Sequence, residues 1–121
     1  MADLGEKCAV FGIYGKGMDA ARLAFFALYA MQHRGQESSG ITSTDGKNIY
    51  NHADMGLVAQ VYSEEVMQKL RGHLAIGHNR YSTSKGSTLK HSQPVIIEDV
   101  GLALCHNGNI PSTKALSDFL L

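Results

Sequence analysis

Between Ala20 and Met31 this chain is apolar almost all round, with Leu23, Phe25, Phe26 and Leu28 spread over every side of the helix its spacing predicts. Asp19 stands where a capping side chain is needed, and the helix should run to about Gln32. A helix without a continuous polar stripe is buried between layers rather than laid on a surface. The rest of the chain must therefore supply the layers.

Strand patterns supply them in clusters. Cys8–Tyr14 is a short apolar run followed by a Gly15-Lys16-Gly17 turn. Ile41–Thr44 and Lys47–His52 read as strands joined by a two-residue Asp45-Gly46 turn. Around Met55–Val58 no period dominates. Ser63, with Glu64 and Glu65 behind it, opens a helix whose inner side is Val66, Met67 and Leu70, and Gly72 ends it. Leu74–Tyr81 alternates as a strand, and Val95–Ile97 pairs with Leu102–His106 around Asp99–Gly101. Asn107-Gly108-Asn109 is a tight turn favouring positive φ, and Ser112 caps a last helix through Leu120. Clustered strands argue against regular βαβ alternation and for an α+β fold with helices packed on sheets.

The 121 residues make one domain. Eleven basic and eleven acidic side chains balance, which removes the electrostatic footprint for nucleic acid or an anionic membrane. The longest apolar run, Leu23–Met31, falls short of the ~20 residues that span a bilayer. Met1–Lys7 carries Asp3, Glu6 and Lys7 and has no apolar core, so it is no secretory leader. A soluble, cytoplasmic protein with Cys8 and Cys105 reduced is expected.

Several candidate sites reduce to ordinary structure. Gly12-x-x-Gly15-x-Gly17 has the reverse spacing of a dinucleotide loop and lacks its downstream acid, so it reads as a turn. The six histidines show no i, i+4 pair and no cysteine partner, and read as hydrogen-bonded loop residues rather than metal ligands. Cys8 alone reads as a small buried hydrophobe. Three polar clusters remain: Gln32–Gly40, His78–Thr83 and His106–Asn109. Each alone is a solvated turn. Together they offer a guanidinium, hydroxyls, a side-chain amide and a glycine N–H, the donors that hold a carboxylate and a developing oxyanion.

Five stretches in order carry a resemblance: Cys8-Ala9-Val10-Phe11-Gly12-Ile13, Gln32-His33-Arg34-Gly35-Gln36-Glu37-Ser38-Ser39-Gly40, Gly77-His78-Asn79-Arg80-Tyr81-Ser82-Thr83, Ser92-Gln93-Pro94 and His106-Asn107-Gly108-Asn109. From Cys8 to its end the chain resembles the class II, N-terminal nucleophile glutamine amidotransferases. Gln-His-Arg-Gly-Gln and Arg-Tyr-Ser-Thr are similar to the purine-biosynthetic branch rather than the branch that makes glucosamine 6-phosphate.

The resemblance implies an incomplete part of an αββα four-layer sandwich of the Ntn-hydrolase type. It implies a glutaminase that passes ammonia to a phosphoribosyltransferase domain in cis, for phosphoribosylamine formation in purine biosynthesis, in a homo-oligomer. Cys8 would be the nucleophile and Asn107 and Gly108 the oxyanion hole. Arg80, with Thr83 beside it, would bind the glutamine α-carboxylate, and Arg34 and Gln36 would support the pocket. No metal or cofactor is implied for this portion; Mg and, in some relatives, an iron–sulfur cluster would belong to the C-terminal part. In this family the nucleophile is the first residue of the mature chain and its α-amine, titrating at about 7.7–8.0 in general, is the base. Met1–Lys7 is therefore expected to be a propeptide, with residues 8–121 the amidotransferase portion.

Two departures stand out. Ala9 replaces the usual glycine after the nucleophile, where a methyl could restrict the backbone. The acid that binds the substrate α-amino group in the family lies farther beyond the His-Asn-Gly-Asn motif than Asp118, outside these residues. A second reading follows: a truncated, non-catalytic remnant with an unpaired sheet edge, acting as a folding or assembly partner.

Overall fold

The computed structural model describes residues 8–33, 35–81, 89–108 and 112–121. The expectations for Met1–Lys7, Arg34 and Thr83 lie outside them. The elements run β1 (Ala9–Tyr14), α1 (Ala20–Ala30), β2 (Gln36–Thr44), β3 (Ile49–Met55), α2 (Val58–Val61), α3 (Glu64–Lys69), β4 (Leu74–Tyr81), β5 (Val95–Ile97), β6 (Leu102–Leu104) and α4 (Lys114–Leu120).

β1, β4, β2 and β3 form an antiparallel sheet in that order, and β5 pairs with β6 in a separate hairpin. Alternation along β4 divides its neighbours between two faces. Ala75, Gly77 and Asn79 meet α1: a Cβ on Gly77 would lie 2.8 Å from Leu28 Cδ1, and Asn79 Nδ2 donates to Leu28 O at 2.8 Å. Ala20, Ala21, Ala24 and Leu28 of α1 are buried there with Ile41, Val58, Val61 and Leu70. Small residues on both surfaces let helix and sheet approach closely. Arg22 joins the start of α1 to α3, forking onto Glu64 at 2.7 and 3.0 Å.

The opposite face carries His78 and Ile76, and the β5–β6 segment lies over it. A cavity of about 220 Å³ is bounded by Thr42, Ile49, Leu74 and Ile76 on the sheet and Leu102 and Ala103 on the hairpin. The chain before β5 comes close to the sheet at Gly40, where a Cβ would lie 2.0 Å from Gln93 O and 3.1 Å from Ala53 Cβ.

The α+β class holds, and several local expectations change. α1 is not enclosed on all sides: Phe26 is 59% exposed and Tyr29 55%. The stretch from Gln36 to Gly40, which reads as a polar turn, is strand. Ser39 can be buried there because its Oγ bonds Tyr62 Oη at 2.8 Å and Asn79 Oδ1 at 2.9 Å. The β2–β3 connection is longer than two residues, since Thr44 pairs with Ile49. Asp45 Oδ1 accepts from the backbone N–H groups of Lys47 and Asn48, each at 2.9 Å, and holds that wider loop. Neither Asn107 nor Gly108 has positive φ. The last helix is capped at Thr113 rather than Ser112, without a side-chain bond from the cap.

Gly40→Ala should push the Gln93 backbone off the sheet and cost roughly 2–3 kcal/mol. Urea unfolding measures this, and an unchanged midpoint would contradict the contact.

Candidate active site

Three sheet strands open or close at one end. β1 begins there just after Cys8, β4 leaves there through Arg80 and Tyr81, and β2 enters there at Gln36. Ala9 pairs with Asn79, and Ser38 with Arg80. One step beyond the first pair, antiparallel geometry sets Cys8 beside Arg80. Ala9 is an ordinary strand residue with negative φ, so its methyl restricts nothing the backbone needs.

A fourth segment comes in from outside the sheet. Asn107 Nδ2 donates to Cys8 O at 3.2 Å, which brings Gly108 to the same end. The sequence-predicted residues Cys8, Arg80, Asn107 and Gly108 are thereby brought together. Gln36 is close by but is occupied with backbone: its Nε2 donates to Gly56 O at 3.0 Å and to Ser38 O at 3.4 Å. It braces the start of β2 against the turn after β3.

Arg80 Nη1 donates to His91 O at 3.1 Å, while its Nε is buried with no hydrogen-bond partner among the described residues. Leaving a charged N–H buried and unpaired is costly, and a carboxylate is the acceptor that suits a guanidinium best. A thiol at this strand end, with such a cation on the neighbouring strand and the Asn107 amide on its own carbonyl, can attack a carbonyl whose substrate is held by its carboxylate.

Other residues here were given no role of their own from the sequence. Tyr81 is buried and its hydroxyl accepts from the His33 N–H. Burial raises its pKa, and the charge of a Cys8 thiolate pushes in the same direction. His78 is 1% exposed, and its Nε2 lies 3.0 Å from His106 O. Burial, above all, pulls its pKa down to about 4. Cys105 is half-buried against Gly77 O, and burial raises its thiol pKa, which makes it a poor nucleophile.

No family model matches the chain. It is 49% identical over 118 residues to an amidophosphoribosyltransferase of Synechococcus elongatus, covering 96% of this chain and 24% of that protein. It is 39% identical over 112 residues to the amidophosphoribosyltransferase of Methanocaldococcus jannaschii, covering 90% of this chain and 24% of that one. A solved glutamine phosphoribosylpyrophosphate amidotransferase from B. subtilis superposes with a TM-score of 0.76 at 37% identity, over 92% of this chain and 24% of that chain. The chain thus spans about a quarter of the length of the curated relatives it matches.

The depressed pKa of His78 gives a testable pH dependence. Its folded value of about 4 lies below the ordinary 6.5, so the unfolded chain takes up the proton first as pH falls. The contribution is complete above about pH 6.5 and declines towards pH 4, by an amount on the order of 3 kcal/mol. Thermal unfolding across that range should show the decline, and His78→Gln should flatten it. An equally steep decline in the variant would place its origin elsewhere.

Proposed function

We propose that the chain, which matches the N-terminal portion of amidophosphoribosyltransferases, is a class II glutamine amidotransferase portion that carries the glutamine-hydrolysing centre of such an enzyme. The observation that carries the reading is the convergence of Cys8, Arg80 and Asn107 on one end of the sheet, with Arg80 Nε buried and unpaired among the described residues.

The Arg80 guanidinium donates to the glutamine α-carboxylate in a two-point grip that lysine cannot reproduce. The Cys8 thiol gives its proton to the α-amine of the same residue, and the thiolate attacks the carboxamide carbon. A C–S bond forms, and the carbonyl oxygen takes up negative charge between Asn107 Nδ2 and the Gly108 N–H. Collapse breaks the C–N bond, and the protonated amine returns a proton to the departing ammonia. Water then cleaves the γ-glutamyl thioester, releasing glutamate and restoring the thiol. In enzymes generally, one oxyanion donor is worth roughly 10²–10³ in rate.

This route needs a free amine on Cys8, so residues 1–7 are assigned as a propeptide and residues 8–121 as the amidotransferase portion. The ammonia would pass to a phosphoribosyltransferase domain in cis, making phosphoribosylamine for purine biosynthesis in the cytoplasm, within a homo-oligomer. Exposed Val95, Ile97, Leu102 and Leu104 on one side of the hairpin, with Leu116 and Phe119 of α4, offer apolar surface for further polypeptide to cover. No helix among the described residues is long and apolar enough to cross a membrane. Mg and, in some relatives, an iron–sulfur cluster are assigned to the C-terminal part of such an enzyme rather than to these residues.

Cys8→Ser should abolish glutamine hydrolysis. Arg80→Lys should raise the glutamine KM roughly 10-fold or more with kcat little changed, as loss of binding common to ground and transition states requires. Equal losses in kcat and in kcat/KM would argue against a purely binding role. Intact mass supplies a separate check, since an active protein that retains the Lys7–Cys8 bond would rule out the α-amine as base.

A further inference from the structure

His106, the residue before the two oxyanion donors, is held at both of its backbone polar groups. Its carbonyl oxygen lies 3.0 Å from His78 Nε2, and its N–H donates to Gln93 Oε1 at 2.7 Å. We propose that His78 and Gln93 are positioning residues that set Asn107 and Gly108 over the Cys8 thiol by clamping His106 from two sides. The proposal rests on the glutaminase reading above and adds to it the device that aligns its oxyanion hole.

Both clamps are seated on the same row of the sheet. His78 pairs with Val10 on one side and with Gly40 on the other. Gly40 is the residue whose missing Cβ lets the Gln93 backbone approach so closely. Val10 stands on the strand that opens just after Cys8. Nucleophile and oxyanion donors are thus both referenced to one rigid row, Val10–His78–Gly40, and Asn107 Nδ2 closes the circuit on Cys8 O at 3.2 Å.

The chemistry of the clamp is specific. A carbonyl oxygen can only accept, so Nε2 must carry a proton. His78 is neutral near pH 7, so its one ring proton sits on Nε2 and Nδ1 is the bare acceptor, buried and without a partner among the described residues. Gln93 is 9% exposed, so its amide oxygen is committed to His106 rather than shared with bulk water. A histidine serving only to fill the core would need neither this tautomer nor a partner adjoining the oxyanion donors.

The test compares two reagents on Cys8 in the full protein. A diazoketone analogue of glutamine alkylates the thiol with loss of nitrogen when its carbonyl is correctly seated. Iodoacetamide needs only a reachable thiolate. His78→Leu and Gln93→Met should each slow the diazoketone reaction by roughly 10²-fold, the scale of a small misplacement of catalytic groups. The iodoacetamide rate should stay at the wild-type value. In steady-state hydrolysis kcat should fall while the glutamine KM holds, and His78→Gln, which keeps an N–H at the same reach, should recover most of the loss. Equal diazoketone rates in wild type and both variants would overturn the clamp and leave the glutaminase reading intact. Parallel loss of both reagents would also overturn it, because the damage would then lie in the thiol. A wild-type protein that reacts with iodoacetamide but not with the diazoketone would refute the glutaminase reading and the clamp with it. If His78→Leu does not fold, Gln93→Met alone decides.

Discussion

Everything at the candidate site depends on the pairing of β1 with β4. Those strands lie far apart in the chain, and the ladder from Ala9–Asn79 to Tyr14–Leu74 joins them over its full length. It sets the Cys8 backbone, one step past the Ala9–Asn79 pair, beside that of Arg80 with the precision of a backbone hydrogen-bond register. A slip of one residue would turn every β1 side chain to the other face. That slip is opposed by burial, because Phe11 and Ile13 pack against the core under α1 while Val10 and Tyr14 face away.

Central position gives β4 a second task. It pairs with β2 as well as β1, so Asn79 faces Ala9 on one side and Ser39 on the other. The Asn79 side chain bonds Ser39 Oγ and the Leu28 carbonyl at the end of α1, so one buried amide links three elements. Satisfied polar networks of this kind specify a unique arrangement, whereas an unmet group within them is costly. Helix α1 and strand β2 are therefore tied to β4, and the ladder ties the Cys8 strand to the same frame. Against that frame, Asn107 and Gly108 lie outside the sheet and need holding of their own.

Apart from α2, in a stretch where no period dominates, the order of strands and helices was legible in the sequence, as were the α+β class and the grouping of Cys8, Arg80, Asn107 and Gly108, because each rests on local pattern or motif. What was not legible depends on partners distant in the chain. Gln36–Gly40 looks like a polar turn until Tyr62 and Asn79 are found bonding the buried Ser39 hydroxyl. The apolar helix α1 has more apolar surface than the sheet covers, and periodicity cannot say that Phe26 and Tyr29 are left outside. The loop after Thr44 widened because the Asp45 carboxylate captures two backbone N–H groups, a local bond that competes with a two-residue turn. The roles of His78 and Gln93 were not legible within their motifs, since their shared partner lies 28 and 13 residues away respectively.

The most direct measurement is a crystal structure of the protein after reaction with a diazoketone analogue of glutamine. The account predicts a single thioether on Cys8 Sγ, the carbonyl oxygen of the adduct within hydrogen-bond reach of Asn107 Nδ2 and the Gly108 N–H, and its α-carboxylate on the Arg80 guanidinium. An adduct on Cys105, or one on Cys8 whose carbonyl points away from Asn107 and Gly108, would contradict it.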